Sequence, residues 1–137
     1  MYIASFSSLL LLAFVFSSCQ FKKVYEVPNT ALLPATAYLE KLEESEDYYL
    51  IDVRSPFEYK KKHLYGAENI PFTGAKFAQS IGELDKNKTV FIYCETAHRS
   101  PFAAKKLQEA GFKQIYDLKR GFRFWRKKGF SFKKRDE

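Results

Sequence analysis

The sequence predicts an α/β domain, a parallel sheet flanked by helices. Three observations carry that reading. Short apolar runs alternate with segments of helical periodicity, the order expected of βα units. One run, Thr89-Val90-Phe91-Ile92-Tyr93, is apolar almost throughout, as a strand covered on both faces should be. The 137 residues are 46% hydrophobic and 18% aromatic, enough for one packed core and too apolar for wholesale disorder.

The elements follow in order. Val24 to Val27 reads as a short first strand, and Pro28-Asn29-Thr30 as a turn signal. Pro34 suits a helix start, and Ala35, Tyr38, Leu39 and Leu42 then fall at i, i+3, i+4 and i+7. Glu40, Glu43 and Glu44 take the wet side of that helix. Tyr49-Leu50-Ile51-Asp52-Val53 reads as a buried strand, and Thr89–Tyr93 as the next. Ser100-Pro101 predicts an N-cap followed by proline at the first helical position. Ala103, Leu107 and Ala110 mark the buried face of that helix, and Gly111 closes it. Ile115 to Leu118 is a further strand. A last helix buries Phe122 and Trp125 and carries Arg123, Arg126 and Lys127 on its other side. In parallel sheets of this kind the site lies at the carboxyl ends of the strands.

Residues 1–18 carry no charged side chain, and Leu9 to Phe16 is an apolar run. It is shorter than the ~20 residues that span a bilayer, and it fits the hydrophobic region of a signal peptide. Ser17-Ser18-Cys19 resembles the lipobox of bacterial lipoproteins, although no Lys or Arg precedes the apolar run. The resemblance implies a signal peptide over 1–18 and a lipidated Cys19. It also implies a tether over 19–30 and a place on the periplasmic side of a bacterial membrane. Gln20 after the cysteine favours the outer membrane where there are two. An ordinary cleaved signal or an unprocessed anchor is the alternative.

The net charge is +7, and the last 19 residues supply all of it: nine basic minus two acidic side chains. A solvated helix face with a basic tail over 133–137 accounts for it. Attraction towards anionic lipid or an anionic substrate is the other reading, and nucleic acid is not expected as a partner.

Cys94 stands between the apolar strand and the Ser100-Pro101 helix start, followed by Glu95, Thr96, Ala97, His98 and Arg99. Backbone N–H groups at a helix N-terminus favour an anion, and a cysteine held there is kept reactive as its thiolate. Arg99 adds a cation, whereas Glu95 is expected to repel a thiolate and an anionic substrate. The plain alternative is a buried core cysteine. Two cysteines and two histidines, not at ligand spacing, predict no metal site, and no cofactor motif is present.

These residues resemble a family. Asp52-Val53-Arg54, Glu58-Tyr59, His63, Gly66-Ala67 and Asn69-Ile70-Pro71 are similar to the opening pattern of rhodanese domains. Cys94 to Ser100 resembles their active-site loop. Gly111-Phe112, Tyr116, Leu118, Gly121, Trp125 and Gly129 resemble their closing stretch, so the likeness covers about residues 24–132. It implies a five-stranded parallel sheet with helices on both faces. It also implies a sulfurtransferase in which Cys94 carries a persulfide cradled by residues 95–100. The partners would be a small sulfur-donor anion and a thiol acceptor, with no cofactor. Asp52, Arg54 and Glu58 become candidates for supporting ion pairs, and Arg99 either holds the donor or pairs with Glu58. His63 is expected to pack and hydrogen-bond, and His98 to shape the entrance. The chain departs from the pattern at Ala97, Lys62 and Arg120, each of which replaces a glycine. A phosphatase, a non-catalytic binding module, a sulfur carrier and a Cys19–Cys94 disulfide are the rival readings. The sequence carries no signal of oligomeric state.

Overall fold

The computed structural model of the protein describes residues 27–135. The signal peptide, Cys19, most of the tether and Val24 to Glu26 lie outside the described residues. The elements run β1 (Thr30–Leu33), α1 (Ala35–Glu44), β2 (Tyr48–Asp52), α2 (Pro56–Lys61), β3 (Lys62–His63), β4 (Glu68–Asn69) and α3 (Phe77–Gly82). β5 (Thr89–Tyr93), α4 (Ser100–Glu109), β6 (Ile115–Leu118), α5 (Gly121–Lys127) and β7 (Lys133–Lys134) complete the chain.

β1, β6, β5, β2 and β4 form one sheet in that spatial order, with every pairing parallel. The α/β class and the five-stranded parallel sheet are as expected. β5 lies at the centre, with Val90, Phe91, Ile92 and Tyr93 all fully buried. Its side chains alternate between two cores. Val90 and Ile92 pack with Ala103, Ala104 and Leu107 of α4 and Phe77 and Ile81 of α3. Phe91 and Tyr93 pack on the opposite face with Tyr38 of α1 and with Phe122 and Trp125 of α5. The Tyr38 hydroxyl reaches through that second core and donates to the Ile92 carbonyl at 3.1 Å.

The first strand starts later than its pattern suggested. Val27 belongs to no strand, and Pro28-Asn29 makes the turn, with Asn29 at φ 61°. Asparagine tolerates that left-handed backbone, and Pro28 brings no N–H to a ladder. The Asn29 carbonyl then accepts from the Ile115 N–H at 2.8 Å, which sets the register of β1 on β6.

Two further details differ from the sequence expectations. Ser100 does not cap α4: it is the first helical residue, fully buried, and Arg99 precedes it with no side-chain cap. The basic stretch that begins at 133 is not a loose tail at its start. Lys133–Lys134 pairs antiparallel with Lys62–His63, and the Arg135 N–H donates to the Lys61 carbonyl at 3.2 Å.

Candidate active site

The chain turns sharply where β5 ends. Cys94 continues the strand into the core and is 1% exposed. The next five residues form a loop that climbs to the first turn of α4. Ala97 lies at its crest with φ 60°, a left-handed backbone that costs an L-residue roughly 1–2 kcal/mol. Among the described residues, the N–H groups of Glu95, Thr96, Ala97 and His98 donate to no backbone carbonyl or side chain. Unpaired donors in the loop between a cysteine and the start of a ten-residue helix are groups that could hold an anion.

The loop is held from beneath by α5. The Phe122 N–H donates to the Cys94 carbonyl at 2.8 Å, and the Arg123 N–H to the Glu95 carbonyl at 2.9 Å. Gly121 makes this approach possible. A Cβ there would lie 2.6 Å from the Glu95 carbonyl oxygen and 2.7 Å from that of Cys94. Any side chain at 121 would push the loop away. Arg120, beside it, adopts φ 68°, so the first position of this turn is strained and the second needs glycine.

Glu95 does not face the thiol, contrary to its expected repulsion of anions. Its carboxylate is turned into the fold, where Arg54 donates to it at 2.9 Å and Arg126 of α5 holds its other oxygen. The clamp neutralises the charge and ties the loop to both β2 and α5. Arg54 is 1% exposed and forks onto the fully buried Asp52, with Nε at 2.9 Å and Nη2 at 2.6 Å from its two oxygens. Nη2 also donates to the Lys62 carbonyl at 2.7 Å, and the guanidinium lies 4.5 Å from the centre of the Phe122 ring. Burial works against the charge of Arg54. The hydrogen bonds and charge of Asp52 outweigh it, so the side chain stays firmly cationic. Asp52 and Arg54 thus form a buried ion pair with each other.

Arg99 pairs with Glu58. Its two terminal nitrogens each lie 2.8 Å from an oxygen of Glu58. Glu58 also closes a capping box on α2, accepting from the Ser55 N–H and hydroxyl. The Arg99 fork, aided by Ser55, overcomes partial burial and holds the Glu58 carboxyl down at about 2. His63 stacks on Tyr59 with ring centres 3.9 Å apart, its Nδ1 2.8 Å from the Tyr59 carbonyl. His98 is exposed, with Nδ1 2.8 Å from the Thr96 hydroxyl, at the outer lip of the loop.

Sequence reasoning missed Asp117. The Cys94 thiol donates to the Ser100 hydroxyl at 3.6 Å, and Asp117 of β6 is buried nearby with its Oδ1 lacking a hydrogen-bond partner among the described residues. Burial pushes the Asp117 carboxyl up to about 7. Only its place on a strand end pointed to it, since Ile115-Tyr116-Asp117-Leu118 puts a carboxylate among core residues. Asp117, with Thr30 and Ala97, lines a small cleft behind the loop.

Ala97→Gly removes the backbone strain and is expected to raise stability by roughly 0.5–1 kcal/mol in denaturant unfolding, after the extra freedom of an unfolded glycine is subtracted. No gain would mean that the crest is held without strain. Asp117 stays protonated in the fold above the 3.8 at which the unfolded chain ionises. Its contribution therefore favours the fold at low pH and is lost as the pH rises from about 4 through about 7. The slope is at most about 1.4 kcal/mol per pH unit. Asp117→Asn should flatten that part of the stability profile, measured by urea unfolding across pH; an unchanged slope would contradict it.

A family model described as a rhodanese-like domain matches residues 35–128. The uncharacterized protein YqhL of Bacillus subtilis is 43% identical over 76 residues, 56% of this chain and 59% of that protein. The chain spans about half of two further curated relatives, 47% and 54% of their lengths. The thiosulfate sulfurtransferase GlpE of Coxiella burnetii is 33% identical over 63% of this chain and 78% of its own. Among solved structures, the polysulfide-sulfur transferase homodimer of Wolinella succinogenes superposes with a TM-score of 0.66. It is 29% identical and covers 85% of each chain.

Proposed function

This chain belongs to the rhodanese-like domain family, and on that premise we propose that it is a sulfurtransferase working through a persulfide on Cys94. The observation that carries the proposal is the loop itself: a buried cysteine followed directly by residues 95–98, whose N–H groups have no acceptor among the described residues.

The reaction is a two-step exchange. The Cys94 thiolate attacks the outer sulfur of a donor of the thiosulfate or polysulfide class. The new bond joins Sγ to that sulfur, and the donor's S–S bond breaks; with thiosulfate the bonding pair leaves on sulfite. The persulfide anion, Cys94–S–S⁻, keeps its charge under the loop N–H groups. An acceptor thiolate, or cyanide in an assay, then attacks the outer sulfur. The S–S bond breaks and its electron pair returns to Cys94 as thiolate. Neither step needs a cofactor, and charge is conserved in both. Residues 95–100 hold the persulfide and Ser100 orients the thiol. Arg54, Glu95 and the Glu58–Arg99 pair fix the loop rather than touching the donor.

Phosphoryl transfer fits less well. Four residues separate Cys94 from Arg99, and the Arg99 guanidinium is taken up fork-to-fork by Glu58. The sulfur-carrier reading shares Cys94 and the cradle and differs only in turnover. Supplying the full chain with thiosulfate or polysulfide plus cyanide, and following thiocyanate, separates the three. Thiocyanate in many-fold excess over protein supports the enzyme, and one equivalent supports the carrier. Release of phosphate from an aryl phosphate, without thiocyanate, would overturn both.

The location proposed for this chemistry is the bacterial envelope, with Cys19 lipidated and the domain on the periplasmic side. The uncharged run over 1–18 and Ser17-Ser18-Cys19 support it. Radiolabelled palmitate should enter the wild type and not Cys19→Ala; equal labelling would contradict it.

A further inference from the structure

The antiparallel pair β3–β7 brings two basic runs of the chain together. Lys62 faces Lys134 and His63 faces Lys133, and Arg135 is held at Lys61 by its backbone. Lys60 and Lys61 form the last turn of α2 immediately before β3. Like charges directly opposed across strands destabilise a pair. The acidic side chain of α2, Glu58, is occupied by Arg99. Among the described residues no ion pair reaches Lys60, Lys61, Lys62 or Lys133. Four lysines side by side with no carboxylate paired to them among the described residues are what an anionic partner would neutralise.

The surroundings favour a particular anion. Phe57 is 64% exposed, with the Lys61 ammonium 4.3 Å above its ring, and Tyr65, two residues after β3, is 55% exposed. Exposed aromatics among long cationic side chains suit the boundary between headgroups and acyl chains, where rings enter and ammonium groups stay at the phosphates. Single-stranded nucleic acid also stacks on aromatics. The same chain, however, carries the uncharged apolar run over 1–18, which suits a membrane.

We propose that the β3–β7 pair and the end of α2 form a docking surface for the anionic headgroups of a membrane. The choice of lipid over other anions rests on reading residues 1–19 as a membrane address; the cationic surface itself does not. Docking would seat the face bearing α2, and with it the Glu58–Arg99 side of the loop, towards the bilayer.

The test uses the full chain with vesicles of phosphatidylcholine alone or mixed with phosphatidylglycerol. Lysines are labelled with an amine-reactive reagent and the peptides read by mass. On the mixed vesicles, labelling of Lys60, Lys61 and Lys133 should fall at least about fivefold. Lys105 and Lys106 of α4, on the other face of the sheet, should label as before. The protection should vanish at about 1 M salt, where screening is short-ranged. The variant Lys60→Gln/Lys61→Gln/Lys133→Gln should lose on the order of 100-fold in preference for anionic over neutral vesicles. It should keep wild-type thiocyanate formation and whatever affinity for neutral vesicles residues 1–19 provide. Equal labelling on both vesicles would overturn the docking surface while leaving the anchor intact. Protection by single-stranded DNA and not by vesicles would overturn the lipid assignment.

Discussion

Cys94→Ser is expected to abolish thiocyanate formation from thiosulfate and cyanide, down to the rate without protein. The hydroxyl that replaces the thiol cannot carry sulfane sulfur, so no slower version of the same cycle survives. The fold is expected to survive. Cys94 makes one side-chain hydrogen bond, to Ser100 at 3.6 Å, and a serine hydroxyl at the same place meets the same partner. A change in Tm of a few degrees, together with lost activity, is the predicted pair of results. Retained activity would move the nucleophile elsewhere in the chain.

Arg54→Met is expected to destabilise the fold severely. The long apolar side chain fills much of the space but leaves the Asp52 carboxylate, fully buried, without its guanidinium. Removing one partner of a buried pair costs roughly 3–5 kcal/mol, a large share of the ~5–15 kcal/mol that holds a domain together. Glu95 loses one of its two clamps in the same step, so activity should fall beyond what partial unfolding explains. Adding Asp52→Asn removes the orphaned charge, and the double variant should recover part of the loss in denaturant unfolding. A cost below about 1 kcal/mol for Arg54→Met, or a double variant whose costs simply add, would show that the pair does not stabilise the fold.

The elements that were legible in the sequence are those whose signals are local. β5 is an apolar run, α1 follows from four apolar residues at helical spacing, and Gly111 ends α4 at φ 99°. The Cys94 loop was legible because it joins a buried strand to a helix start. The capping box at Ser55-Pro56-Phe57-Glu58 was also local, with serine three residues before glutamate, and went unread. What was illegible depends on partners distant in sequence. Glu95 looked like a charge beside the thiol until Arg54 and Arg126, 41 and 31 residues away, turned it inward. The pairing of Lys62 with Lys134 opposes like charges, which no pattern of alternation would predict. Asp117 reads as one residue of a strand. Only packing reveals that it is 2% exposed and next to the serine beneath the thiol.

The central claim is that Cys94 carries sulfur, and the mass of the intact protein tests it most directly. After incubation with thiosulfate or polysulfide, the full chain should gain the mass of one sulfur atom, and peptide mapping should place it on Cys94. Cyanide should remove it with release of one equivalent of thiocyanate. No gain in mass with either donor would contradict the account, as would a gain that persists in Cys94→Ser.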